Sequence, residues 1–201
     1  MRSQNPNAPG REEAIDALSR LGVFTTDQAQ KAGVSKPTLS RLLKAKLITR
    51  LEHGLYIKSE ADFPDDIEFV IACHKFGPEA LIGGLSALLY HAITEQVPAQ
   101  TWVMVPNSKR GTYPDKYRVL RTRHDPRIEC DEYGTWRMAT IERAIVEAFV
   151  YATKIGYQTA LTAARMALAD DKITEKSLYE ASERLGAWPI MAKSWEAITT
   201  K

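Results

Sequence analysis

Lys36, Arg41 and Lys44 lie within one short stretch, interspersed with Ser35, Thr38 and Ser40 and free of any acidic residue. Ammonium, guanidinium and hydroxyl groups in that pattern are donors suited to phosphate oxygens and to acceptor atoms on base edges. Thr25 and Thr26 precede the stretch, and Arg50, His53 and Lys58 follow it. These eleven residues are the candidate contact set for double-stranded DNA. Within it, Arg41 has the donor geometry for a guanine edge, while Thr38 and Ser40 suit a base edge or a phosphate.

The charge distribution agrees with that chemistry. The chain has 201 residues, 44% hydrophobic and 26% charged, and a net charge of +2. Residues 1–60 hold ten Lys/Arg against six Asp/Glu, and residues 31–58 hold seven against one, Glu52. A basic segment in an otherwise balanced chain is the electrostatic footprint of a nucleic-acid contact. Charge alone is equally compatible with a solvated face, so local geometry has to decide.

The elements that would position these residues can be read in order. Ala14, Ile15, Leu18 and Leu21 share a helical stripe over residues 10–21, which Gly22 ends. Thr25 and Gln28 have the spacing of a capping box opening a second, short helix, which Gly33 stops. Ser35 caps a third helix that tolerates Pro37 in its first turn, and Val34 and Leu39 are spaced as a hydrophobic staple. Leu39, Leu42 and Leu43 point inward, with Leu47 just beyond; Pro37, Ser40, Arg41 and Lys44 point outward, with Thr38 on the flank. Strand-like runs at residues 47–52 and 55–58 flank His53-Gly54, a pair suited to a type I′ hairpin. This is the order of a winged helix-turn-helix, whose second short helix can enter a major groove. A small helical subdomain whose hairpin touches protein only is the alternative.

The remainder reads as a second domain. Residues 60–64 form a linker. A helical run follows in which Ile67, Val70, Ile71 and His74 share a stripe, then Gly83-Gly84 before a helix over residues 85–91. Thr101–Pro106 and Tyr117–Arg123 read as strands, the second alternating Tyr117, Val119 and Arg121 against Arg118, Leu120 and Thr122. Lys109, Arg110, Arg118, Arg121 and Arg123 form a second basic group on these strands and the loop between them: either an RNA or antitoxic surface, or a strand edge kept soluble by charge. From Thr140, a helix cap, the pattern is helical, with stripes at Ile141, Ala144, Ile145, Ala148 and Phe149, then Leu161, Ala164 and Leu168, then Leu178, Ala181 and Leu185, and finally Met191, Trp195 and Ile198. The expected fold class is α+β: a tail over residues 1–9, a winged helix-turn-helix over 10–60, and a mixed α/β domain with a small sheet and a largely helical C-terminal half over 65–201.

Catalysis finds little support. His53, His74, His91 and His124 lack metal-ligand spacing, Cys73 and His74 are adjacent on a helix and diverge, and residues 84–88 lack the last glycine of a nucleophile elbow. Pro114-Asp115 has half the pattern of a restriction-type nuclease, but Glu129-Cys130-Asp131-Glu132 has no lysine after it. No catalytic residue, metal or cofactor is expected. Cys73 and Cys130 read as reduced thiols, and no apolar run approaches the roughly 20 residues needed to span a bilayer, so a cytoplasmic protein away from membranes is expected.

Phe24-Thr25-Thr26-Asp27-Gln28-Ala29, Gly33 through Leu42, and His53-Gly54-Leu55-Tyr56 together resemble the N-terminal winged-helix domain of the AbiEi family, antitoxins of type IV abortive-infection toxin–antitoxin systems. Gly84 through Leu88, and Pro98 with the strand Trp102–Pro106, are similar to the family's second domain. Thr140-Ile141-Glu142-Arg143-Ala144 resembles a Pro-Glu-Arg-Thr-like run, with Ile141 in place of the proline and Ala144 in place of the threonine. The resemblance implies a transcriptional autorepressor acting on inverted repeats upstream of its own operon. It also implies a nucleotidyltransferase-like toxin, encoded beside it, that is opposed without a stable complex. A nucleic-acid-binding regulator with no toxin partner is the first alternative, and a restriction-type nuclease the second.

Overall fold

A computed structural model describes residues 11–200 and shows a mixed α+β protein with two small sheets. The expected tail over residues 1–9 lies outside the described residues. The chain divides into two compact units, Met1–Ile67 and Glu68–Lys201.

In the first unit, α1 (Arg11–Ser19) is followed by β1 (Phe24–Thr25), α2 (Thr26–Lys31), α3 (Lys36–Lys44), β2 (Ile48–Glu52) and β3 (Leu55–Lys58). The strands form an antiparallel sheet in the order β1-β3-β2. One core joins every layer: Ala14 and Leu18 of α1, Phe24 of β1, Ala29 of α2, Val34, Leu39 and Leu42 at α3, and Ile48 of β2. Leu21 departs from the expected stripe. It lies past the helix end, in a turn where its N–H donates to Leu18 O at 3.0 Å, and is 38% exposed.

The hairpin also differs from expectation. Gly54 takes a positive φ of 75°, but His53 does not. A type I′ turn needs both residues in that region, which any side chain with a Cβ adopts rarely. The strands instead shift register by a one-residue bulge between Arg50 and Glu52, which supplies twist by another route.

The second unit holds α4 (Ile67–Phe76) from its second residue on, then β4 (Leu81–Ile82), α5 (Gly84–Tyr90), β5 (Thr101–Pro106), β6 (Tyr117–Thr122), β7 (Cys130–Glu132) and β8 (Arg137–Ala139). Then come α6 (Ile141–Val150), α7 (Ala152–Ile155), α8 (Tyr157–Ala169), α9 (Glu175–Arg184), α10 (Trp188–Met191), a 3-10 turn (Ala192–Ser194) and α11 (Trp195–Thr199). The mixed sheet has the order β6-β5-β4-β8-β7, with β5 and β6 parallel. Thr140 caps α6, its Oγ1 accepting from Arg143 N at 3.2 Å. On α8 the buried face is Ala160, Ala163, Ala164 and Ala167, with Leu161 and Leu168 only half-buried. Small side chains there let α8 pack closely on α6.

Candidate nucleic-acid interface

Capping fixes the two short helices. Gln28 N donates to Thr25 Oγ1 at 3.2 Å, and Thr25 N donates to Gln28 Oε1 at 2.8 Å, closing the box that opens α2. Gly33, at φ 85°, ends that helix, and Val34 N turns back to Ala29 O at 2.8 Å. Ser35 then caps α3, accepting from Thr38 N at 3.3 Å. Val34 is fully buried and Leu39 is 4% exposed, both in the core, as a staple across the cap requires.

With α3 anchored in this way, its faces separate sharply. Leu39 and Leu42 are buried and Leu43 half-buried, whereas Lys36, Pro37, Ser40, Arg41 and Lys44 are exposed. The first turn of α3 carries no acidic residue. Among the described residues, Lys36, Arg41 and Lys44 form no ion pair, and their side chains enter no hydrogen bond. Two other cations of this unit are committed, Arg20 to Asp16 at 2.7 Å and Lys58 to Glu60 at 3.8 Å.

The structure sorts the rest of the contact set. Thr38 is 9% exposed and its hydroxyl lies 2.9 Å from Ser35 Oγ, so it serves the cap rather than presenting a free hydroxyl. Thr25 is likewise taken up by its capping box. Thr26, half-buried, donates its N–H to Gly54 O at 3.0 Å and so ties the start of α2 to the hairpin tip. Thr26, Lys36, Ser40, His53 and Tyr56 share the lining of one concavity of about 430 Å³. Arg50 and His53 touch: Arg50 Nη2 is 2.6 Å from His53 Nδ1. Two exposed lysines outside the expected set, Lys31 and Lys46, add to the basic character; Lys46 takes φ 55° just past α3. Their signal was the count of basic residues rather than any motif.

The second basic group is largely spent on the fold. Lys109 Nζ donates to Phe76 O at 2.6 Å, at the end of α4, and Arg121 Nε donates to Lys109 O at 3.1 Å. Arg110 donates to the Asn107 carbonyl. Arg118 lies 5.8 Å from the centre of the Trp102 ring, and Arg123 is exposed. Burial breaks the expected alternation on β6: Tyr117, Leu120 and Thr122 are buried while Arg118 and Arg121 are exposed.

The histidines and cysteines of the second unit are dispersed. His91 Nε2 lies 2.7 Å from Ala139 O, and burial, helped by the Arg143 charge, pulls the His124 imidazole below its ordinary value. Burial pushes the Cys73 thiol up to about 11. Among the described residues no group of three or more His, Cys, Asp or Glu is placed to hold a metal ion. Among them, too, no helix is long and apolar enough to cross a membrane.

Residues 12–57 match a family model described as transcriptional regulator, AbiEi antitoxin, the family that the motifs resemble. A comparison with curated proteins gives no match. Among solved structures, the chain is similar to the crystal structure of the RV2827C protein from Mycobacterium tuberculosis, with a TM-score of 0.59 and 14% identity, over 96% of this chain and 80% of that one. At that identity the likeness is one of fold.

Proposed function

We propose that this chain, whose residues 12–57 are of the AbiEi antitoxin regulator type, is a sequence-specific DNA-binding repressor. In this reading residues 10–60 form a winged helix-turn-helix: α2 and α3 are its paired helices, α3 enters the major groove, and the β2–β3 hairpin is the wing. The observation that carries it is the solvent face of α3, where Lys36, Ser40, Arg41 and Lys44 are exposed on a helix fixed at its start by Ser35 and Val34. Cations exposed together on one helix face that itself carries no acidic residue are what a polyanion selects.

The full reading follows the family. The chain represses its own operon by binding inverted repeats, and it opposes a nucleotidyltransferase-like toxin without a lasting complex. It performs no chemistry itself, and residues 65–201 carry the antitoxic role. Titrating labelled duplex from directly upstream of the gene, against scrambled duplex of the same length, tests the first part. Binding at least about 1,000-fold tighter to the upstream duplex supports it, and equal affinities would rule out a sequence-specific repressor. Co-expression with the adjacent reading frame tests the second: rescue by the full chain is expected.

A further inference from the structure

Arg50 sits opposite Tyr56 in the β2–β3 register, immediately before the bulge. Its guanidinium is engaged at two points, Nη2 at 2.6 Å from His53 Nδ1 and Nε donating to Glu52 O at 3.3 Å. A guanidinium has donors only, so the imidazole must be the acceptor: Nδ1 carries the lone pair and the ring proton is on Nε2. The turn beneath is fixed in the same way, His53 N donating to Glu52 Oε1 at 3.2 Å. The bulge lies between Arg50 and Glu52, and an inserted residue re-aims the side chains on either side of it.

We infer that His53 is a positioning residue for Arg50 and not itself a DNA ligand. His53 Nδ1 and the Glu52 carbonyl hold the arginine of the hairpin in one conformer, and that arginine meets acceptor oxygens of double-stranded DNA. An exposed arginine otherwise loses its rotamer freedom on binding; one already tethered has less to lose. This role rests on the DNA-binding reading, and it replaces two independent wing contacts with one coupled pair.

Fluorescence anisotropy of the full chain on the upstream duplex, with Arg50→Ala, His53→Ala, the double variant and His53→Asn, tests it. Arg50→Ala should weaken binding about tenfold. His53→Ala should weaken it less, and the double variant should be no weaker than Arg50→Ala. His53→Asn places an amide oxygen where Nδ1 accepts, so it should stay within about twofold of wild type. Additive losses, or an Asn variant as weak as the Ala variant, would overturn the role in a chain that still binds. Nitrogen-15 spectra of the DNA-free chain at neutral pH test the pair by itself: an unprotonated His53 Nδ1 is expected, and a protonated one contradicts the proposal. Failure of the wild type to bind any duplex would overturn the DNA reading and this role with it.

Discussion

Arg143 and Glu147 form an ion pair one turn apart on α6, Nε to Oε1 at 2.9 Å, with side chains 0% and 3% exposed. The guanidinium also holds the chain between β6 and β7, Nη1 donating to the carbonyls of Asp125 at 3.2 Å, Pro126 at 3.3 Å and Ile128. Among the described residues, Arg143 Nη2 and Glu147 Oε2 have no hydrogen-bond partner. The arginine of the Thr140–Ala144 motif is therefore a core strut of the second unit.

Removing one partner leaves the other buried and uncompensated. Arg143→Ala should lower unfolding free energy by about 3–5 kcal/mol, whereas replacing both residues with leucine should cost less. Urea denaturation of the three chains measures this. A double variant less stable than Arg143→Ala would show that the pair is not the governing interaction.

The pair also sets an unusual pH response. Burial raises the Glu147 carboxyl above its ordinary 4.5, opposed by the charge and hydrogen bond of Arg143. A raised carboxyl binds its proton more tightly in the folded than in the unfolded chain. Its contribution is complete below the unfolded value and is lost as pH rises through the folded one. The stability of wild type relative to Glu147→Gln should thus improve as pH falls from neutral towards the unfolded carboxyl value. A gap moving the other way in denaturation at stepped pH would contradict the sign.

Gly84 is required by both its backbone and its neighbour. Its φ is +51°, and an added Cβ would stand 2.5 Å from Trp102 Cε3. Gly22 shares the positive φ, at +64°, but a Cβ added there would meet nothing within 4 Å among the described residues. Gly84→Ala should therefore destabilise by about 1–3 kcal/mol beyond Gly22→Ala, as overpacking adds to backbone strain. Thermal melts compare them, and equal losses would mean that Trp102 yields freely.

Thiol reactivity should follow burial. Cys73 is 5% exposed with its thiol raised to about 11 by burial, while Cys130 is half-buried and raised by the same cause. Alkylation of the native chain at mild alkaline pH should modify Cys130 first and leave Cys73 intact until denaturant is added. Early modification of Cys73, seen by mass spectrometry, would contradict this packing.

What could be read from sequence was local. The caps at Thr25, Ser35 and Thr140, and the limits of β5, depend on residues a few positions apart, and all appear where the pattern puts them. β4, β7 and β8 have two or three residues each and exist through pairings across the sheet, such as Ile82 with Met138, that no local period encodes. Arg143 and Glu147 look like a solvated i, i+4 pair, and only tertiary packing buries them. At the candidate site, the outward face of α3 was legible in helical period and charge. The loss of Thr38 to the cap, and the contact between Arg50 and His53, depend on side-chain geometry that residue types do not specify.

The central claim is that the outward face of α3 meets the phosphates and base edges of DNA. Affinity for the upstream duplex, measured across a salt series for wild type and Arg41→Ala/Lys44→Ala, tests it most directly. The wild type should show a steep linear fall of log affinity with log salt. The double variant should lose at least about tenfold in affinity and about 1–2 from the magnitude of the slope. A flat salt response in the wild type, or an unchanged affinity and slope in the double variant, would contradict it.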